Sequence, residues 1–203
     1  MKYKYIYPEI VSDVIIKLDE FLKGQNIFLT EEEKKHIENK ILNYCPQRTL
    51  KEVEKYNFRA YRIIIEYGRS KEKAFYPHVF LGKKILISTF KRYIANNLYP
   101  YLHKYQYDRQ KLLNFLCKKL CELFSTSLFT CIEKAKQNAK KMMIFRRKGD
   151  KVLEIREGII KKEHGLACGN LKKSAHVNWY PYEGIDEWQI FNKVAYSFEN
   201  LEA

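Results

Sequence analysis

The chain has 203 residues, enough for one domain or a domain with an appendage, and 46% of them are apolar, which excludes global disorder. Lys and Arg outnumber Asp and Glu by 38 to 24, for a formal net charge of +14, so a polyanion is the natural class of partner. No apolar run reaches the roughly 18 residues that span a bilayer, and five Cys, an odd number at irregular spacing, argue against a disulfide framework.

The N-terminal stretch contains basic residues, but Glu9, Asp13 and Lys17 interrupt the apolar core that a signal peptide needs. A reducing, cytoplasmic setting without a signal peptide is therefore expected. Ile10, Val11, Val14, Ile15, Leu18, Phe21 and Leu22 recur at helical spacing up to Gly24. Thr30 followed by Glu31, Glu32 and Glu33 is a capping box, and Ile37, Ile41 and Leu42 carry that second helix toward Pro46.

A third helix is expected from Thr49 to Gly68, with Val53, Tyr56, Ala60, Ile63, Ile64 and Tyr67 as its stripe. Residues 69–82 read as irregular around Pro77 and Gly82. A fourth helix is expected over 83–98, ending near Pro100, with a Tyr-rich loop after it. A fifth starts near Asp108 and carries Leu112, Leu113, Phe115, Leu116, Leu120, Leu123 and Phe124. It either runs through Ser125, Thr126 and Ser127 or breaks there before a sixth helix ending near Lys140.

Beyond residue 140 the period changes. Met142–Arg147 and Lys151–Arg156 flank Lys148, Gly149 and Asp150 and read as a hairpin, or as a meander including Ile159 and Ile160. His176–Tyr182 and Trp188–Phe198 are two further strand candidates. The expected fold is α+β: mainly a helical bundle over about residues 8–140, then a small antiparallel β region over about 141–198. Residues 1–140 would form the helical domain and 141–203 a β-rich region packed on it, or the two would make one domain.

The positive charge is segregated. Residues 1–50 balance at eight basic and eight acidic side chains, whereas 51–110 carry thirteen against five. Residues 140–173 carry eleven against four, and 174–203 reverse to one against five. A/T-rich codons raise Lys, Tyr, Asn, Ile and Phe together and hint at a phage, a mobile element or an intracellular bacterium, but codon usage does not favour one segment over another. Cations that neutralise phosphates, beside rings that stack on bases, are the signature of a nucleic-acid interface. The residues expected to form it are Lys55, Arg59, Arg62, Lys83, Lys84, Lys91, Arg92, Tyr101, His103, Lys104, Tyr105, Arg146, Arg147 and Lys148. Tyr99 and Tyr107 belong to the same aromatic cluster.

A helix-turn-helix also fits residues 48–67, with Asn57 adopting positive φ in the turn and Arg59 and Arg62 facing out. Two enzymatic alternatives stand behind these readings. Cys168 with His164 or His176 has the residue types of a nucleophile–base pair or a zinc site, although no close ligand pair occurs. Asp150, Glu154, Glu157 and Lys161 have the residue types of a metal-dependent nuclease, on the surface of a hairpin. Cys117 and Cys121, four apart, share an apolar helix stripe and read as core. Glycine-rich phosphate cradles and a GxSxG elbow are absent from the sequence. The leading expectation is a non-enzymatic nucleic-acid-binding protein needing no cofactor. The alternative is an assembly protein whose basic middle meets an acidic protein partner, the acidic tail at 183–202 included.

Overall fold

The computed structural model describes residues 2–43, 57–68, 70–76, 79–81, 84–144, 150–169 and 175–198. The chain divides into two compact units, each made of two stretches: Met1–Thr49 with Val79–Ser125, and Leu50–His78 with Thr126–Ala203. The first stretch carries α1 (Pro8–Lys23) and α2 (Glu31–Leu42), and the second β1 (Phe58–Glu66) and β2 (Lys73–Tyr76). The third carries β3 (Phe80–Leu81), β4 (Lys84–Ile85), α3 (Ile87–Asn97), α4 (Tyr99–Tyr105) and α5 (Arg109–Leu123). The fourth carries β5 (Thr126–Phe129), α6 (Ile132–Ile144), β6 (Lys151–Ile160), β7 (Gly165–Cys168), β8 (His176–Pro181), α7 (Glu187–Ile190) and β9 (Lys193–Ser197). The fold is thus α+β, but a helical bundle followed by a small β region does not describe it. Strands interrupt the helices from residue 58 onward.

The first unit is helical around one apolar core. Pro8 stands in the first turn of α1, where its missing N–H has no helical partner to lose, and Ile10, Val11, Val14, Ile15, Leu18 and Leu22 are buried. The capping box of α2 forms as the sequence indicates. Thr30 Oγ1 accepts from the Glu33 N–H at 3.2 Å, and Glu33 Oε2 accepts from the Thr30 N–H at 2.8 Å. Pro100 does not end a helix. It stands in the first turn of α4, where a fixed φ favours initiation, so the Tyr-rich stretch is helical through Tyr105 rather than a loop. Asp108 then caps α5, its Oδ1 accepting from the Lys111 N–H at 3.0 Å. Cys121 is buried on α5 and Cys117 packs beside the same core, where burial pushes the Cys117 thiol up to about 11.

Because α2 buries only Ile37 and Ile41, ion pairs supply part of its attachment. Asp19 of α1, 6% exposed, receives Lys34 at 2.8 Å and Lys23 at 2.9 Å. Burial raises the Asp19 pKa, but hydrogen bonds from Lys34 and Lys23 outweigh it and hold the carboxyl below its usual range. Arg109 of α5 donates to both carboxylate oxygens of Glu33 and to the Phe28 carbonyl, and its hydrogen bond holds Glu33 below its ordinary 4.5. Carboxylates with depressed folded-state pKa values stabilise above their unfolded values and lose that contribution as pH falls. Melting temperature is therefore expected to drop steeply below about pH 4.5. The variants Glu33→Gln and Asp19→Asn should be less stable at neutral pH and have a flatter acid limb. Melting profiles parallel to that of the unmodified protein would contradict this.

The second unit is built on a seven-stranded antiparallel sheet in the order β7-β8-β5-β1-β6-β9, with β2 also paired to β1. The expected third helix is overturned over residues 58–66, which form the central strand, while its start at 49–56, with Val53 and Tyr56, lies outside the described residues. Ala60, Ile63, Ile64 and Tyr67 satisfy helical spacing, but a strand covered on both faces is apolar at consecutive positions and meets the same test. Tyr61, Ile63 and Ile65 face one core with Phe129, Ala135 and Ala139, while Ala60 and Ile64 face another with Leu128, Trp179 and Phe191. The helix-turn-helix reading falls with that helix. Asn57 does take positive φ (65°), yet it leads into β1, donating its N–H to the Ile160 carbonyl at 2.8 Å.

The hairpin expected over 142–156 is replaced by a long-range pairing. Residues 142–144 end α6, and β6 runs unbroken to Ile160 against β1, from Phe58↔Ile160 to Glu66↔Lys151. Within Trp188–Phe198, the first residues belong to α7 and only Lys193–Ser197 is strand.

Candidate nucleic-acid interface

The structure sorts the expected cations unequally. Lys55, Lys83, Arg146, Arg147 and Lys148 lie outside the described residues, and Lys84 sits in β4, its backbone opposite Leu81. Arg59 is exposed on β1 with Glu157 3.6 Å away. Lys91 and Arg92 are exposed on α3, and His103 and Lys104 on α4. Arg62 is a correction: it is fully buried, so it reaches no phosphate.

What distinguishes the α3–α4 segment is that its own residues include no acid. Between Glu72 and Asp108 the sequence contains no acidic residue. Elsewhere in the same unit, carboxylates take up the cations: Lys23 pairs with Asp19, Lys34 with Asp19 and Glu31, Arg109 with Glu33, Lys111 with Asp108 and Lys119 with Glu122.

Its tyrosines divide by environment. Tyr93 sinks inward and donates to the Lys119 carbonyl at 2.5 Å, and burial drives its phenol pKa far up. Tyr105 and Tyr101 lean on Phe115 of α5 at 4.8 and 6.0 Å, with the Lys104 ammonium 5.6 Å from the Tyr105 ring. Tyr99 and Tyr101 keep about half of their surface exposed, and Tyr107 keeps 91%.

Sequence reading missed a second basic element. Helix α6 presents Lys134, Lys140 and Lys141 outward while Ala135 and Ala139 face the core, and its single acid, Glu133, pairs with Lys136 at 2.9 Å. The signal was four Lys against one Glu within a helical stretch. Charge counts broken at residue 139 divided it.

The buried Arg62 anchors a different arrangement. It donates to Glu187 of α7 and to Thr126 Oγ1 of β5, with Phe75 4.5 Å and Phe191 5.8 Å from its guanidinium carbon. Its Nε, also buried, has no hydrogen-bond partner. One acid of the negative tail therefore meets a cation of the positive middle, as an internal contact of one unit.

The enzymatic candidates find little support in their surroundings. Cys168 is 1% exposed in β7, opposite Asn178. His176 Nε2 lies 2.8 Å from Ser127 Oγ, and His164 Nδ1 accepts from the Lys161 N–H at 3.2 Å. Asp150 accepts from the Gly68 N–H at 3.0 Å, and Glu154 pairs with Arg156 at 2.6 Å. Glu157 lies between Arg59 and Lys193, and Lys161 is 4.0 Å from Glu163. Among the described residues no three His, Cys, Asp or Glu come together as a metal site, and no helix is long and apolar enough to cross a membrane. No family model, curated protein or solved structure matches the chain.

Proposed function

We propose that the protein binds nucleic acid, through exposed α3–α4 side chains of its helical unit, a stretch whose own sequence carries no acid, and that it does so without catalysing a reaction. Lys91, Arg92 and Lys104 neutralise phosphates, and Tyr107 stacks on an unpaired base, with Tyr99 and Tyr101 beside it. The supporting observation is that this segment joins exposed cations and exposed rings in a stretch without an acid between Glu72 and Asp108. Outward-facing lysines of α6 extend the same chemistry to the second unit.

A stacking ring separates single-stranded from duplex binding, because paired bases have no face to offer. The Tyr107→Ala variant should bind a single-stranded oligonucleotide about tenfold more weakly in fluorescence anisotropy and leave duplex affinity unchanged. The residue is almost fully exposed, so folding is not at stake. No loss, or the same loss on duplex, would contradict the assignment.

A further inference from the structure

A cavity of about 500 Å³ opens in the sheet unit, a size suited to a small-molecule ligand. Glu157 and Ile159 of β6 form one side, and Gln189 and Ile190 of α7, with Asn192 and Lys193 after it, form the other. Although α7 is a single turn, it is fixed from several directions. Glu187 pairs with the buried Arg62, Asp186 Oδ1 accepts from the Trp188 N–H at 2.9 Å, and the Trp188 ring lies between Phe75 at 4.4 Å and the Arg156 guanidinium at 5.0 Å. Gly158 permits the close approach of its far end. A Cβ there would stand 2.5 Å from the Ile190 carbonyl oxygen and 3.0 Å from the Phe191 ring.

The wall chemistry is specific. The Glu157 carboxylate lies 3.6 Å from Arg59 and 3.7 Å from Lys193, too far for hydrogen bonds, so acceptors and donors alike retain capacity for a third group. Two cations on one carboxylate leave a positive excess suited to one anion. The Gln189 and Asn192 amides each offer a donor and an acceptor, the complement of a base edge. Ile159, 42% exposed, and Ile190 offer apolar surface to a flat ring. His164, on the cavity wall, adds no charge near neutrality: burial holds its pKa below the usual value.

We infer that this cavity binds a nucleoside monophosphate, with Lys193 and Arg59 at the phosphate, Gln189 and Asn192 at the base edge, and Glu157 accepting from a ribose hydroxyl. The inference does not depend on the α3–α4 reading. A free mononucleotide and the 5′-phosphorylated end of a strand present the same chemistry.

The test is a backbone-amide NMR titration with the four ribonucleoside monophosphates, adenosine, ribose 5-phosphate, inorganic phosphate and a 5′-phosphorylated oligonucleotide. At least one monophosphate should give saturable shifts around residues 157–164 and 187–193, with a Kd between about 10 μM and 1 mM. Adenosine and ribose 5-phosphate should each bind at least about fivefold more weakly. Lys193→Ala and Asn192→Ala should each weaken binding about fivefold with an unchanged melting temperature, whereas Lys35→Ala, at an exposed position of α2, should leave it untouched. Tighter binding of the oligonucleotide at the same amides identifies a strand end as the source, and weaker binding identifies the free nucleotide. No shifts at about 10 mM monophosphate, phosphate binding as tight as monophosphate binding, or variants without effect would overturn the inference.

Discussion

Truncating Glu187 to Ala is expected to cost about 3–5 kcal/mol of stability in urea unfolding, because it strands the Arg62 guanidinium inside the sheet unit. Arg62 is fully buried and Glu187 is 4% exposed, so neither charge is solvated by water. The guanidinium has Glu187, Thr126 and two aromatic rings around it, and only Glu187 carries the opposite charge among these contacts. Arg62→Met should be costly for the mirror reason. The double variant Arg62→Met, Glu187→Leu removes both charges and keeps most of the volume. It should recover to within about 1–2 kcal/mol of the unmodified protein, since a buried ion pair and a well-packed apolar pair are of similar stability. A double variant no more stable than Glu187→Ala would show that the pair is more than compensated charge. The same pair holds α7, so Glu187→Ala should also abolish mononucleotide shifts in the cavity, and the double variant should restore them.

The second large effect concerns affinity. Replacing Lys91, Arg92 and Lys104 together by Ala is expected to weaken oligonucleotide binding about 100-fold near 100 mM salt. A matched control replaces Lys23, Lys111 and Lys119, three cations already facing carboxylates on their own helices. It removes the same net charge and should change affinity less than about threefold, since those cations are already compensated. Equal losses from both triples would mean that bulk charge, not the α3–α4 surface, attracts the ligand. Neither set enters the apolar core, so circular dichroism should be unchanged.

Helices with one buried face were legible from the sequence. In α1, α2 and α5 the apolar stripe, the Thr30 and Asp108 caps and the Gly24 stop mark the elements directly, because those signals are local. Strand β1 was not legible, for the opposite reason. Its neighbours in space are remote in sequence, with Phe58 paired to Ile160, and double-sided burial erases the alternation that identifies a strand. The β-branched run Ile63–Ile65 was the signal for it. Arg62 was misassigned with its strand: read on a helix it is one cation in a basic row, whereas on a central strand its flanking Tyr61 and Ile63 face one core and it faces the other. That Lys91, Arg92, His103, Lys104, Tyr101 and Tyr107 are exposed could be read from sequence, because polar and charged positions tend to the surface whatever element carries them. The cavity between β6 and α7 could not, since it requires Glu187 to meet Arg62 across 125 residues and Gly158 to admit Ile190.

The proposed phosphate contacts of Lys91, Arg92 and Lys104 make binding salt-dependent, and anisotropy of a labelled single-stranded oligonucleotide against salt concentration measures them directly. Log affinity should fall linearly with log salt with a slope of about −2 to −4, equivalent to three to five phosphates, and the Lys91, Arg92, Lys104 triple Ala variant should lose about two units of that slope. A slope near zero, or no binding at about 50 mM salt, would contradict the proposal.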